Sequence, residues 1–316
     1  GFRVRKISFF KRNLLFAVYG AVIMAGGFLP EIYATDTLEG TPQRISGATV
    51  YTANVEPGQQ YTNVFGVRNG NTNSENYGAV NINEGTVTNT VYGCRAIGGA
   101  ESSSASCNKV KITDSTVGTV YGGYAYGGSD TASVHNNIVD IDGGNIGYVY
   151  GGSSDGTTIS VAGNNVNIKN AQIAKTVYGG CAFNNSSWLS MLRNNVVIEN
   201  SAVNGSVFGG YASGSAPASN SNTVTIRGNS IIKGSVYGGY ALNSANSGNS
   251  DAKNNTVIIE GGTLNSHVYG GVGRNATGNT IVVKGGDLSN ADLFGYSDGR
   301  RSHADNSLEI WASDVK

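Results

Sequence analysis

The sequence predicts an all-β chain wound as a right-handed parallel β-helix, a β-solenoid of about eight to nine coils of ~29 residues. Three recurrences predict it. Val-Tyr-Gly-Gly stands at Val120–Gly123, Val149–Gly152, Val177–Gly180, Val236–Gly239 and Val268–Gly271, with close variants at Val91–Cys94 and Val207–Gly210. From Tyr92 to Tyr269 its aromatic residue returns after 29, 29, 28, 30, 29 and 32 positions. Ahead of it runs Asn-x-aliphatic-x-aliphatic, as in Asn108-x-Val110-x-Ile112 and Asn222-x-Val224-x-Ile226. Five residues beyond the last aliphatic comes another: Val87, Val117, Ile146, Ile173, Val203, Ile231, Leu264 and Leu288.

Each repeat has a rigid half, from Asn to Gly-Gly, and a variable half after it. The aliphatics alternate with polar residues, the period of a strand with one buried face. Three or four buried aliphatics contribute about 1.5–3 kcal/mol each. Ordering the backbone costs about 1–2 kcal/mol per residue. One repeat is therefore unstable alone, and stacking equivalent strands in parallel at ~4.8 Å buries each coil against the next. A propeller blade needs ~40 residues, more than these units hold.

Stacking turns equivalent residues into columns. Asn108, Asn137, Asn164, Asn194, Asn222, Asn255 and Asn279 become an amide ladder at a turn, with Asn306 starting one more repeat. Tyr92, Tyr121, Tyr150, Tyr178, Phe208, Tyr237 and Tyr269 become a column of rings along the axis. Strand parity with the preceding Val points the rings outward, and a bend at Gly would reverse this. The Gly-Gly column is expected to supply φ > 0 at a corner. The small polar segments Glu101–Cys107, Ser213–Asn222 and Asn243–Asn249 read as loops leaving one edge of the stack. A ~29-residue coil thus accommodates three short strands and one extended loop.

The front of the chain differs. Arg3, Arg5, Lys6, Lys11 and Arg12 precede an uncharged apolar run from Leu14 to Leu29, then Pro30, Glu31 and the small-residue site at Ala34. This is the pattern of a secretory signal peptide over residues 1–34, cleaved after Ala34. The alternative is a membrane anchor, but sixteen residues fall short of the ~20 that span a bilayer. Gly20, Gly26 and Gly27 also weaken a helix there. Residues 35–75 read as an N-terminal region capping the solenoid, and 76–316 as the repeats, apparently truncated inside the one that begins at Asn306. Without the leader, Lys plus Arg falls from 21 to 16 and Asp plus Glu from 21 to 20, a net charge near −4. That leaves no basic patch for nucleic acid.

Leader, N-x-V-x-I, a Gly-containing turn and G-x-V-Y-G-G-Y-A in tandem together resemble the passenger region of bacterial autotransporters, the type V secreted surface proteins. The resemblance spans the chain and is strongest from Tyr77 to Gly271. It implies export, a cell-surface or extracellular location, and tethering in the outer membrane through a C-terminal barrel that this sequence does not contain.

Catalytic chemistry is sparse. His135, His267 and His303 lie far apart, with no Cys or carboxylate at zinc-ligand spacing. Asp140 and Asp142 flank Ile141 on one polar face. A lyase or hydrolase would use such a pair, but Asn167 and Lys169 follow in the next coil, which reads as a solvated face. Tyr121–Asp130 lacks the nine-residue period of a calcium-binding repeat. No G-x-S-x-G, P-loop or H-E-x-x-H motif occurs. Cys94 and Cys107 bracket one variable segment and are candidates for a disulfide, which would leave Cys181 over. The alternative is three unpaired small residues at coil corners.

The expected function is therefore non-enzymatic and needs no cofactor: adhesion or cell aggregation through loops on one edge. Partners are host or neighbouring-cell glycans or proteins, with self-association a further expectation. The alternatives are an exported carbohydrate-active β-helix enzyme and a self-assembling structural protein.

Overall fold

The computed structural model describes residues 35–98, 102–127, 131–183, 188–243, 249–297, 303–311 and 315. The leader and the cleavage site at Ala34 lie outside the described residues. From Thr35 onward the described chain is all β, a parallel β-solenoid of about nine turns with a repeat near 29 residues.

One turn shows how the sequence makes a coil. In Asn165–Lys169 side chains alternate across the strand, so Val166 and Ile168 are buried and Asn167 and Lys169 are exposed. A corner leads to the two-residue strand Gln172–Ile173 and a second corner to Val177–Phe183, and the fourth strand is Trp188–Leu192. The next turn repeats this as Asn195–Glu199, Ala202–Val203, Val207–Gly214 and Pro217–Asn220. Every pairing between these turns is parallel and in step: Val166 with Val196, Ile173 with Val203, Tyr178 with Phe208, Leu189 with Pro217.

The variable half is thus not wholly a loop. It carries a fourth strand in each of the central coils, and these form a separate seven-stranded sheet. Ser103–Ser104, within the segment expected as a loop, belongs to it, as does Pro217–Asn220. The inward residues of that sheet are mixed, small at Ala105, Ala132, Ser219, Ala252 and Ala276 and larger at Val134, Ile159, Val161, Leu189 and Met191. Where the inward residues are Ala or Ser there is no hydrophobic period, and the alternating pairs Ile159 with Val161 and Leu189 with Met191 occur in only two coils, so the strand is hidden in the sequence.

The interior has two parts. A Val/Ile core fills the space between the first three strands of each coil, and a smaller Ala-rich core lies under the fourth. The asparagine ladder stands between them. Asn137, Asn164, Asn222, Asn255 and Asn279 are 0% exposed. Each side-chain amide donates to the amide oxygen of the next coil, at 2.8 Å for Asn137 to Asn164 and 2.9 Å for Asn255 to Asn279. Its second proton goes to a fourth-strand carbonyl, Ala105 for Asn137 and Val134 for Asn164. The backbone N–H of Asn137 also donates to the Asn164 oxygen, at 3.0 Å. All the bonds a buried amide needs are therefore made.

The positive-φ corner lies one residue before the ladder, at Cys107, Asn136, Gly163, Arg193, Ser221, Asn254, Gly278 and Asp305. The Gly-Gly pairs expected there are instead inside the third strand, and none has positive φ. Their missing side chains make room for the neighbouring coil. A Cβ on Gly151 would stand 2.5 Å from the Gly179 carbonyl oxygen and 2.9 Å from Val166 Cγ2. One on Gly180 would stand 2.5 Å from Asn194 Nδ2.

The spacing of five also fails once. Ile231 is 43% exposed, and Ile232 is the buried residue that pairs with Val203 and Leu264. The corner Gly228–Asn229–Ser230 holds one residue more than its counterpart Asn200–Ser201, which moves the inward position along by one.

The N-terminal end is closed by a hairpin. Thr41–Ile45 pairs antiparallel with Ala48–Val55 through Ser46 (φ 48°) and Gly47 (φ 89°), a turn whose twist suits a hairpin. The exposed strand carries Pro42 and Arg44, which discourage pairing with a further strand. At the other end Ser307–Ile310 pairs with Thr280–Asp287, and Leu308, Ile310 and Trp311 are exposed.

Candidate functional site

The face built by the third strands carries the most distinctive chemistry. Val120 and Ala125 are buried while Tyr121 and Tyr124 are half-exposed. The two tyrosines are three residues apart yet on one face, because the strand bends at Gly122–Gly123 between them. The ring column therefore points outward, as parity with Val allows. It runs without interruption through nine rings: Phe65, Tyr92, Tyr121, Tyr150, Tyr178, Phe208, Tyr237, Tyr269 and Phe294. Neighbouring centroids are 4.5 Å apart at Tyr121–Tyr150 and 5.2 Å at Tyr178–Phe208, with planes within 13° throughout. The ~4.8 Å strand spacing imposes this near-parallel stacking.

A second aromatic column lies beside the first and was not expected from the ladder motifs. In register it reads Arg95, Tyr124, Ser153, Cys181, Tyr211, Tyr240. Its tyrosines were nonetheless visible as the second Tyr of Tyr-Gly-Gly-Tyr and Phe-Gly-Gly-Tyr. Burial raises the pKa of Tyr121, Tyr150 and Tyr178, and the crowded neighbouring side chains raise them further. The phenols therefore stay protonated and able to donate at neutral pH.

Beyond this face the third strand runs into the segments that join it to the fourth. These segments differ in length from coil to coil, while the strands on either side stay in register. The strand ends that flank them consequently line up along one edge. Exposed Phe183, Trp188 and Leu242 flank it.

The first strands present a different surface, a ladder of alternating charge. Asp142, Lys169, Glu199 and Arg227 follow one another in register. Glu199 pairs with Arg227 at 2.7 Å and Lys169 at 3.7 Å. Asp140 accepts from Asn167 at 2.7 Å, and Asp142 from Asn170 at 2.8 Å. Each carboxylate is thus tied to an amide of the next coil, and both line one open groove of about 390 Å³ with Lys111, Lys169, Glu199 and Arg227.

The histidines remain apart. His135 Nε2 lies 2.9 Å from Ser160 Oγ, and burial lowers its pKa, keeping it neutral. His267 meets Asp292 at 3.2 Å on an exposed surface, and His303 stacks on Tyr296 at 4.5 Å. Among the described residues no three metal-ligating side chains cluster.

The bridge between Cys94 and Cys107 is not formed, and all three cysteines are free. Cys94 points into the Ala-rich core, where its thiol donates to the Gly70 carbonyl at 3.2 Å. Burial pushes that thiol up to about 12. Cys107 occupies the positive-φ corner before Asn108. Cys181 is fully buried.

Compared with protein-family models, with curated proteins and with solved structures, the chain finds no match. What its own geometry defines is a parallel β-solenoid with a continuous outward aromatic stack beside an edge of variable segments.

Proposed function

We propose that this chain is an exported, surface-displayed β-helix that acts in adhesion or cell aggregation, in the manner of an autotransporter passenger. One observation carries the reading. The segments joining third and fourth strands differ in length from coil to coil, while the strands they join keep their register. A rigid scaffold with variable segments on one edge suits recognition, because loops tolerate change where the core does not. The aromatic face beside that edge supplies apolar bodies with polar tips, the side chains favoured where surfaces meet. Repetition along the axis makes many weak contacts act together.

Replacing those segments by short Gly-Ser turns, with every strand retained, tests the idea. Attachment to target cells, or clumping of cells that display the protein, is expected to disappear while the melting temperature holds. Undiminished attachment would refute the reading.

A further inference from the structure

A phenol that gives up one electron and one proton becomes a phenoxyl radical. Its unpaired electron lies largely on the two ring carbons beside the C–O bond. Two such radicals can join at those carbons when the carbons face each other. Parallel strands in register set each side chain over its counterpart at ~4.8 Å, so neighbouring tyrosines of one column present the same ring carbons to each other. Tyr121 and Tyr150 have centroids 4.5 Å apart and planes 11° apart, and the Tyr121 phenol is hydrogen-bonded to that of Tyr150. Tyr92 lies 5.1 Å from Tyr121, and Tyr150 lies 4.8 Å from Tyr178. Tyr237 with Tyr269, and Tyr211 with Tyr240 in the second column, are each 5.0 Å apart, with planes at 6° and 4°. Every one of these tyrosines is half-exposed.

The other ring contacts are of a different kind. Phe65, Phe208 and Phe294 carry no hydroxyl, and they divide the first column into a run of four tyrosines and a pair. Where tyrosines cross, as Tyr240 does Tyr237 at 87° and Tyr211 does Tyr178 at 80°, a rim meets a face and the carbons beside the hydroxyls are not matched. The matched pairs are 28 to 32 residues apart, so each links one coil to the next. The cysteines provide no such link, since all three are free.

We propose that the stacked tyrosines are a modification site, at which a peroxide acting through a haem peroxidase joins neighbouring coils by dityrosine bonds. The inference goes beyond the adhesion reading and does not depend on it, because it concerns the scaffold alone. One hydrogen peroxide takes one electron and one proton from each of two phenols and leaves as two waters. The two radicals form a single carbon–carbon bond between ring carbons beside the hydroxyls. The hydrogen that each of those carbons carried moves to its own phenol oxygen, which restores both hydroxyls, and the pair has lost two hydrogens in all. Rings already in contact couple far more readily than rings of two molecules that must first collide. Each new bond closes a loop across one coil and restrains the unfolded chain as a disulfide does, so oxidation hardens the solenoid.

The test treats the full chain, kept dilute, with hydrogen peroxide and a haem peroxidase, and maps the products by peptide mass spectrometry. Peptides joined with loss of two hydrogens are expected to pair Tyr121 with Tyr150, Tyr211 with Tyr240, and the other matched neighbours. Tyr126 and Tyr296 are the internal control. They are more exposed than any matched tyrosine, at 41% and 39%, yet in register Tyr126 stands beside Ile97 and Asp155, and Tyr296 beside Gly271. Links within the chain are not expected at either. Tyr150→Phe keeps a ring in the column, as Phe208 does, and is expected to lose the links to Tyr121 and Tyr178 while the Tyr237–Tyr269 link keeps its parent yield. Oxidation is expected to raise the melting temperature of the parent by about 5 °C, and that of Tyr150→Phe by less. Oxidation without dityrosine, links concentrated at Tyr126 or Tyr296, or links mainly between separate copies would each overturn the proposal. Matched-pair links that leave the melting temperature unchanged overturn the hardening. Cell attachment enters none of these readouts, so failure here is distinct from failure of the adhesion reading.

Discussion

Asn222 Nδ2 lies 3.1 Å from Asn255 Oδ1, although the two residues are 33 positions apart in the chain. The same Asn255 oxygen accepts the backbone N–H of Asn222 at 3.0 Å. One side chain thus holds two donors of the coil before it, deep between two hydrophobic cores.

Replacing Asn222 by leucine removes that arrangement. The amide and backbone N–H of Asn194, which reach Asn222 Oδ1 at 3.1 and 3.0 Å, lose their acceptor inside the protein. Each buried group left unsatisfied costs about 1–3 kcal/mol, so Asn222→Leu is expected to destabilise by about 3 kcal/mol or more in urea unfolding. Asn222→Asp adds a pH signature. Without a cation nearby, the buried carboxyl has a folded pKa above its unfolded value near 3.9. Its stability is full at low pH and falls as pH rises through that folded pKa.

The glycine pairs are expected to be as sensitive as the core. A Cβ at Gly238 would lie 2.5 Å from the Gly270 carbonyl oxygen and 3.0 Å from Asn255 Cβ. Neither neighbour has room to retreat, as both are fixed between coils. Gly238→Ala is therefore expected to lower stability by about 1–3 kcal/mol or more. A melting temperature equal to that of the unaltered chain would count against close coil contact there.

Tyr150 stacks on Tyr121 at 4.5 Å and Tyr178 at 4.8 Å. Tyr150→Ala breaks both contacts, each worth about 0.5–1.5 kcal/mol beyond buried area. Tyr150→Phe is expected to melt close to the parent, since Phe208 occupies the same column. The phenols also predict alkaline behaviour. Their folded pKa values lie above the ordinary phenol value of about 10, with burial the largest cause. Stability is whole below about pH 10 and declines as pH rises beyond it, because the unfolded chain ionises first. Absorbance at 295 nm should show the stacked tyrosines ionising only with unfolding.

Thiol labelling examines the cysteines. Cys94 and Cys181 are buried with raised pKa values, while Cys107 is partly exposed. Iodoacetamide is expected to modify Cys107 alone in the native protein, and three thiols in denaturant without reductant. A single reactive thiol in denaturant would mean that a disulfide had formed.

The sequence by itself determined the solenoid. Val-x-Ile with its Asn and Val-Tyr-Gly-Gly return in step, and a repeat too small to fold alone has to stack. The ladders Asn108 to Asn279 and Tyr92 to Tyr269 follow from that step. Tertiary structure decided what the columns do. The sequence does not show that Gly151 and Gly180 serve close approach, because the clash they avoid comes from residues of other coils. The fourth strand escapes notice because small inward residues such as Ala132, Ser219, Ala252 and Ala276 break the hydrophobic period that Ile159 with Val161 and Leu189 with Met191 show in only two coils. Ile232 replaces Ile231 as the buried residue because one added corner residue matters only once neighbouring coils impose register. The break in the second aromatic column exists only in the stack: Ser153 and Cys181 are ordinary in sequence, and interrupt it because Tyr124 and Tyr211 flank them across coils.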